Sequence, residues 1–455
     1  MRILFLTDNF PPETNAPASR THEHAKRWAA AGHDVTVITC APNFPRGRVF
    51  DGYANRVRTV ETVDRIRVVR VKTFIARNSG FFLRTLDYLS FMVAGFVAAL
   101  FERRPDVVVA TSPQFFCAAA GWLTSVFKRR PFVFELRDIW PASIAAVGAS
   151  SRTPILRALE RLELFLYRRA TSIVAVTHSF RDELVERGVP REKIHVVTNG
   201  VDLSRYAPLS RDAALGAELG LEGKFVVGYV GTHGMAHALM SALDAAARLD
   251  GRGNVHFLFV GDGAEREALL ARSAELGLRN VTLHAPLPKE RMPAVWSLCD
   301  VALVHLRDTP LFETVIPSKI FEAMGMGIPI VIACPRGEAT RIVEGTGAGR
   351  VVAPQCPGEL ATAVDALARS PAEVARLGSA ARAAAPRYSR DRLAADMLAH
   401  LECVAGLARG SAPSAPVEMP AALRPAAPGP VRSARDAHTE PSDGRAENVR
   451  SKRAA

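Results

Sequence analysis

The sequence predicts an α/β protein made of doubly wound parallel sheets, and three observations carry that prediction. Short runs of Val, Ile, Leu and Phe recur along the 455-residue chain. They are nearly continuous in apolar residues and do not alternate, as expected of strands buried on both faces. Segments of helical period rich in Ala, Arg, Leu and Glu, such as THEHAKRWAAAG and GAEREALLARSAELG, lie between many of them, and alternating β and α is the pattern of a doubly wound sheet. Thirteen runs are too many for one comfortable open sheet, so two sheets in two domains are expected.

Taken in order, the strands of the first half are RILFLT, DVTVIT, IRVVRV, DVVVAT, FVFELRD, SIVAVT and KIHVVTNG. Those of the second half are FVVGYVG, VHFLFVG, NVTLHA, DVALVHL, IPIVIA and GRVVAP. Between the halves, polar and turn residues replace the apolar period, which puts the linker near Asn199 to Pro208. This gives a first domain over residues 1–200 and a second over 201–385. After Gly410 Pro, Ala, Ser and Arg dominate and no apolar period survives, so residues 410–455 read as a disordered, solvated tail. The first residues, MRILFLTDNF, read as a strand and not as a signal peptide. Tyr88 to Phe101 is apolar all round but about fourteen residues long, against the roughly 20 that a membrane span needs. Two readings stay open for it, a buried or partly buried helix or a helix that dips into a bilayer face.

Composition narrows the chemistry. Hydrophobic residues make up 48% and charged residues 23%, which is globular, and the formal charge of +12 with a pI of about 9.8 suits an anionic partner without choosing among nucleotide, lipid surface and nucleic acid. Cysteines stand singly at positions 40, 117, 299, 334, 356 and 403, with no CxxC and no Cys/His cluster, so neither a zinc site nor a disulfide framework is signalled. A reducing cytoplasm is the expectation.

In open α/β sheets ligands bind beyond the carboxyl ends of the strands, so the loops there carry the candidates. The first, TDNFPPETNAPASR, is far longer than an ordinary βα loop and leads to a helix starting near Ala18 or Ser19, whose N-terminus would welcome an anion. His22 and His24 diverge by about 200° around that helix and cannot share an ion. In FELRDIWPASI, Glu135, Arg137 and Asp138 crowd a strand end with Trp140 beside them. They could orient a substrate hydroxyl, or Arg137 could form a structural salt bridge with a carboxylate. Gly231 and Gly234 permit a tight turn after the first strand of the second domain. VGDGAERE is a broken dinucleotide fingerprint with Arg266 where the third glycine belongs, there is no Walker A pattern, and no D-x-D motif signals a divalent metal.

The stretch TVIPSKIFEAMGMGIPIV, Thr314 to Val331, concentrates the signal. Pro317 and Ser318 open a short helix, and Gly325 and Gly327 close it. Lys319 sits in the first turn, the end that favours an acid, because the helix N-terminus already carries about half a positive charge. An anion bound there resolves the conflict: a diphosphate on the helix N-terminus and Lys319, with sugar hydroxyls on Glu322. A solvated lysine and a surface glutamate is the alternative.

Together NFPPETNAPASR, RDIWP, THSFRDELVERGVPREKIHVVTNGVD, VGDGAERE and PSKIFEAMGMGIPIV resemble, over roughly residues 1–405, the GT-B glycosyltransferases of family 4, in the branch of bacterial O-antigen, capsule and colanic acid enzymes. The resemblance implies two facing Rossmann-like domains. A nucleotide sugar, by preference UDP-linked and often N-acetylated, would bind mainly to the second domain, and a lipid-linked or saccharide acceptor mainly to the first. It implies retaining transfer without a metal or other cofactor, no nucleic-acid partner, and a cytoplasmic enzyme in peripheral contact with the inner membrane. Residue by residue, Glu322 looks like the second glutamate of the family's E-x7-E motif. Thr314 stands where the first would be, with Glu313 one residue off. The family's phosphate-binding Arg and Lys are absent after the first strand of the second domain, where GTHGMAHAL offers His233 and His237, so Lys319 is expected to take over the diphosphate charge. Asn15 to Ala18 replace a Gly-Gly pair. Asp138 is the candidate for a catalytic histidine of the family. The donor set is thus Asn15, Ala16, Gly231, His233, Gly234, Gly263, Leu287, Thr314, Ile316, Pro317, Ser318, Lys319 and Glu322, the catalytic set Asp138, Lys319 and Glu322, and the acceptor set Arg20, Arg137 and Trp140. The segment at about 386–408 resembles the terminal helix that crosses back to the first domain. A nucleotide-sugar 2-epimerase or hydrolase on the same fold, an NAD-dependent oxidoreductase and a noncatalytic assembly partner are the competing readings.

Overall fold

The structure is a computed structural model that describes residues 1–75, 81–112, 114–139 and 154–407, all within one compact unit. Trp140 and the expected tail lie outside the described residues.

Two sheets form, as the pattern of apolar runs requires. The first contains β1 (Arg2–Leu6), β2 (Asp34–Cys40), β3 (Arg58–Val63), β4 (Ile66–Val71), β5 (Val107–Thr111), β6 (Phe132–Leu136), β7 (Ser172–Ala175) and β8 (Ile194–Val196), in the spatial order β3-β4-β2-β1-β5-β6-β7-β8. The second contains β9 (Phe225–Val230), β10 (Val255–Val260), β11 (Val281–His284), β12 (Val301–His305), β13 (Ile330–Ala333) and β14 (Gly349–Val352), in the order β11-β10-β9-β12-β13-β14. Pairing is parallel throughout except for β3 on β4. β3 is a strand that the sequence reading missed. Its residues RTVETV hold only two apolar side chains and are mostly exposed, so no apolar run marks it, and it is held by a tight turn with Asp64 and Arg65 at φ of 47° and 66°.

Each sheet is buried on both faces. In the first, Leu4, Leu6, Ile38, Val108 and Ala110 pack with helices Phe81–Phe101 and Phe115–Lys128, while Ile3, Phe5, Val35, Val37 and Val107 pack with Trp28, Met397 and Leu401. The last two side chains come from helix Arg390–Val404, which lies against helix Ala16–Ala30: Trp28 Nε1 donates to the Ala394 carbonyl at 2.9 Å, and His400 Nε2 meets Ser172 Oγ at 2.8 Å. Helix Arg390–Val404, the last among the described residues, is therefore part of the first lobe's core.

Helix Phe81–Phe101 corrects the expected length of the Tyr88 to Phe101 segment and is the partly buried helix expected there. It has 21 residues, and its 19-residue stretch Leu83–Phe101 is long and apolar enough, by length and composition, to cross a membrane. Phe91, Ala98 and Ala99 are nevertheless sunk in the first lobe's core, while Val93 is 58% and Phe101 77% exposed on another face. The helix is neither fully buried nor free.

In each sheet the strand order reverses once beside the first strand of the lobe. The two switch points lie between β1 and β5 and between β9 and β12, and these are the places where doubly wound sheets take their ligands.

Candidate active site

At the second switch point the loop after β9 meets the loop after β10 backbone to backbone. His233 N donates to the Asp262 carbonyl at 2.8 Å, and Glu265 N to the His233 carbonyl at 2.9 Å. A Cβ on Gly261 would stand 1.8 Å from the Gly231 carbonyl oxygen, and one on Gly263 2.3 Å from that of His233. The glycines of VGDGAERE thus serve this close approach, which explains why the sequence imitates a dinucleotide fingerprint without completing it.

Above these loops stands helix Lys319–Met326. Lys319 is 8% exposed, and its Nζ lies 3.5 Å from the centre of the Tyr229 ring and next to Gly231. Among the described residues that ammonium has no hydrogen-bond partner. Burial lowers its pKa to about 7. Around it His233, His237 and His305 are each held down to about 4, first by burial and also by the charge of Lys319, so they are neutral at pH 7. Both ring nitrogens of His233, which is fully buried, lack partners among the described residues, as does Nε2 of His305. A buried cation with unmet donors beside a glycine turn, ringed by neutral imidazoles, is a site built to accept an anion. Ser318 occupies the cap position as expected, but its side chain makes no capping hydrogen bond.

Glu322 stands one turn on from Lys319, near enough for each charge to act on the other. Glu322 Oε2 accepts from Trp296 Nε1 at 3.1 Å, and the carboxyl opens with Ile316, Ser318 and Lys289 onto a cavity of about 390 Å³ between the lobes, closed on the other side by Arg20, Glu23, Asn199 and Arg390. Burial raises the Glu322 pKa, with the Trp296 hydrogen bond and Arg390 working against it. Thr314 turns its hydroxyl to the Leu311 carbonyl at 3.2 Å, Pro317 precedes the helix, and Leu287 is half-buried against the second lobe's core.

The first lobe corrects several expectations. Helix Ala16–Ala30 starts two residues before Ala18. Asn15 caps it, accepting from Ala18 N at 2.9 Å and donating to Asn9 at 2.6 Å, so that side chain is already engaged. Arg20 is 7% exposed and fully engaged: Nε pairs with Glu135 at 2.8 Å, and its other nitrogens donate to the carbonyls of Val197 and Thr198 and to Asn199. It clamps the start of the interlobe connection. The salt bridge of Glu135 is made by Arg20, not by Arg137. Burial lowers the Arg137 pKa to about 10, and its backbone N–H donates to Ser112 Oγ at 2.7 Å, as that of Asp138 does at 3.3 Å. His22 meets Asp64, and His24 meets the Met397 sulfur.

Three residues of the lobe boundary escaped sequence reading. Lys289, in the loop after β11, reaches Ser19 Oγ at 3.4 Å, and Arg390 meets Glu23 at 3.3 Å. Both follow strand or helix boundaries where a basic residue is ordinary. Glu338 is 1% exposed and crosses from the second lobe to the N-terminus of helix His178–Glu186, accepting from His178 N at 3.0 Å, Ser179 N at 2.9 Å and Ser179 Oγ at 3.0 Å. In the sequence it looks like any acid in a first helical turn. Among the described residues no group of three or more His, Cys, Asp or Glu could hold a metal ion.

Residues 15–200 match the family described as glycosyl transferase 4-like domain, and residues 224–370 match glycosyl transferases group 1. The chain is 26% identical over 345 residues to the putative colanic acid biosynthesis glycosyl transferase WcaI of Escherichia coli K12, covering 73% of this chain and 83% of that one. It is 31% identical over 281 residues to D-inositol 3-phosphate glycosyltransferase of Nocardia farcinica, covering 59% and 60%. Among solved structures, sucrose-phosphate synthase of Thermosynechococcus elongatus superposes with a TM-score of 0.71 at 18% identity, over 90% of this chain and 100% of that one. HepE of Anabaena, solved in complex with UDP, superposes with a TM-score of 0.67 at 21% identity, over 89% and 100%. The chain joins a glycosyl transferase 4-like domain to a glycosyl transferases group 1 domain, and it is a glycosyltransferase of the GT-B fold.

Proposed function

We propose that the chain is a retaining glycosyltransferase of family 4 that moves a sugar from a nucleoside diphosphate, by preference UDP, to a lipid-linked or saccharide acceptor in bacterial surface polysaccharide synthesis. The names of WcaI and of a teichuronic acid enzyme of Bacillus subtilis support the polysaccharide context, and the UDP complex of HepE supports the donor class. The observation that carries the reading is the buried Lys319 ammonium over Gly231 at the second switch point, without a hydrogen-bond partner among the described residues. The diphosphate of the donor would sit there on Lys319 and the backbone of Gly231 to Gly234, with ribose hydroxyls on Glu322.

As the glycosidic bond to the diphosphate breaks, negative charge grows on the leaving oxygen, and a cation fixed beside it stabilises that state more than the ground state. In a front-face reaction the acceptor oxygen forms the new bond on the face that the diphosphate leaves, and the leaving phosphate oxygen takes the acceptor proton. No protein nucleophile is then needed. The exposed face of helix Phe81–Phe101 and the basic surface support peripheral contact with the cytoplasmic face of a membrane, where a lipid-linked acceptor would be met.

Calorimetry of UDP, GDP and dTDP without added metal, on the native chain and on Lys319→Ala, tests the reading. Binding of one nucleotide, weakened about tenfold or more in the variant, supports it. No binding of any of them sinks it.

A further inference from the structure

The Lys319 ammonium is held in place by something other than an acid. Glu322 on the same helix accepts from Trp296 Nε1 at 3.1 Å, and among the described residues the ammonium makes no hydrogen bond to it or to any other group. What does face the ammonium is the ring of Tyr229, whose centre lies 3.5 Å from Nζ. A cation over an aromatic face is attracted by the ring quadrupole, and most strongly where water is excluded. Tyr229 is fully buried at the end of β9, and its orientation is fixed from two sides. Its hydroxyl donates to the Thr232 carbonyl at 2.7 Å, and its ring packs against Phe259 and edge-on against His237, with centroids 6.1 and 5.8 Å apart.

The kind of partner decides what the ammonium can do. A carboxylate in that place would cancel its charge, and backbone carbonyls would occupy its N–H groups. A ring face does neither. It favours the charged form, leaves the N–H donors free and leaves the site positive. The other groups around Lys319 keep to the same pattern. His233 and His237 in the loop after β9 and His305 at the end of β12 are neutral at pH 7, and His233 also feels Arg266 and Asp262. Burial pushes the Cys334 thiol after β13 up to about 12, and Glu322 is the charge that favours the ammonium. Burial first, then Cys334 and Glu265, push the Tyr229 hydroxyl well above its usual value, so the ring is neutral wherever Lys319 titrates. A Cβ on Gly231 would stand 3.3 Å from Nζ, so a side chain there would crowd the ammonium.

We infer that Tyr229 is a positioning residue for the transfer: its ring face holds the Lys319 ammonium, charged and with its donors free, beside the loop Gly231 to Gly234 where the donor diphosphate is received. This rests on the proposed donor reading, but the hold of the ring on the ammonium can be measured without a nucleotide. Tyr229→Phe removes only the hydroxyl bond to Thr232 and is the reference. Phenylalanines carrying two and three ring fluorines, placed at the same position by nonsense suppression, drain negative charge from the ring face at nearly constant size, and Tyr229→Leu removes the ring. The Lys319 side chain is titrated by NMR in protein made with isotope-labelled lysine, its signal identified by its loss in Lys319→Met. The titration should stay in place in Tyr229→Phe and move to lower pH with each fluorine step, the most fluorinated ring and leucine weakening the proton affinity of Lys319 about tenfold. From a native pKa of about 7, that takes the charged fraction at pH 7 from about one half to about one tenth. Calorimetry of UDP, GDP and dTDP on the same variants should then show an affinity about fivefold weaker than the reference at pH 7 and largely recovered near about pH 5.5. A purely structural tyrosine would give no such recovery. A titration that does not move along the fluorine series overturns the inference, as does a moved titration with nucleotide affinity unaltered at pH 7. If circular dichroism shows Tyr229→Leu unfolded, the fluorine series decides alone. No nucleotide binding by the native chain sinks the transfer reading and this use of the ring with it, whereas binding with an unmoved titration sinks this inference alone.

Discussion

The two switch points are the same architectural feature with opposite electrostatics. At the second, between β9 and β12, one buried ammonium stands among neutral imidazoles over a turn of glycines. At the first, between β1 and β5, two carboxyls with raised pKa values, those of Asp8 and Asp87, line a cavity of about 250 Å³ together with the Gln114 amide. Doubly wound sheets open a crevice at both places for topological reasons alone. What each crevice takes is decided by a handful of side chains that the sheet merely presents.

The sharpest way to break the comparison is to remove the cation. Lys319→Met should lower kcat/KM by about two to three orders of magnitude, the usual loss when a preorganised charge is taken from a leaving group. The same variant should unfold at higher urea than the native chain, because an unpaired buried charge is replaced by an apolar side chain of similar length. A variant both inactive and less stable would make Lys319 a structural residue. Next in size is Gly261→Ala. With 1.8 Å to the Gly231 carbonyl, the two donor loops must separate, and a loss of about 1–3 kcal/mol in urea unfolding is expected, together with weakened nucleotide binding.

Glu338→Ala tests whether the two crevices are held in register. It leaves the N–H groups of His178 and Ser179 without their acceptor at the lobe boundary and should cost about 1–3 kcal/mol. Faster proteolysis of the connection near Asn199 is the readout that separates loosened lobes from a local defect. pH sharpens the contrast further. A bound diphosphate favours the charged form of Lys319, so the complex holds more protons than the free protein above pH 7. Apparent affinity is then highest below about pH 7 and falls up to about tenfold per unit above it, until the pKa of the bound state is reached. Lys319→Met should be flat over that window in calorimetry. The smallest stability effect belongs to Val97→Asp on the exposed face of helix Phe81–Phe101, within about 0.5 kcal/mol of native in urea. Its reduced cosedimentation with anionic vesicles, at full activity on a soluble acceptor, would tie that face to a membrane.

Much of this was legible in the chain. Parallel strands buried on both faces leave continuous apolar runs, so all strands but β3 and the two-sheet design could be read directly, whereas β3 is an exposed edge strand with two apolar residues and left no such run. The stretch from Thr314 to Val331 announced itself because Lys319 stands at the wrong end of a helix for its charge. Other features were invisible because they depend on residues far apart in sequence. Arg20 lines the interlobe cavity, and nothing in the sequence shows that Glu135 and the carbonyls of Val197 and Thr198 close around its guanidinium. The glycines after β10 looked like a cofactor fingerprint until the loop after β9 was laid against them. Gln114 and Asp8, 106 positions apart, carry no motif at all, and only the order of β1 and β5 in the sheet brings them to one cavity. Periodicity is a local property set by which face of each element is buried, so the sequence determines it. Which polar groups are left without partners is a property of the packed whole, and only the tertiary structure decides that.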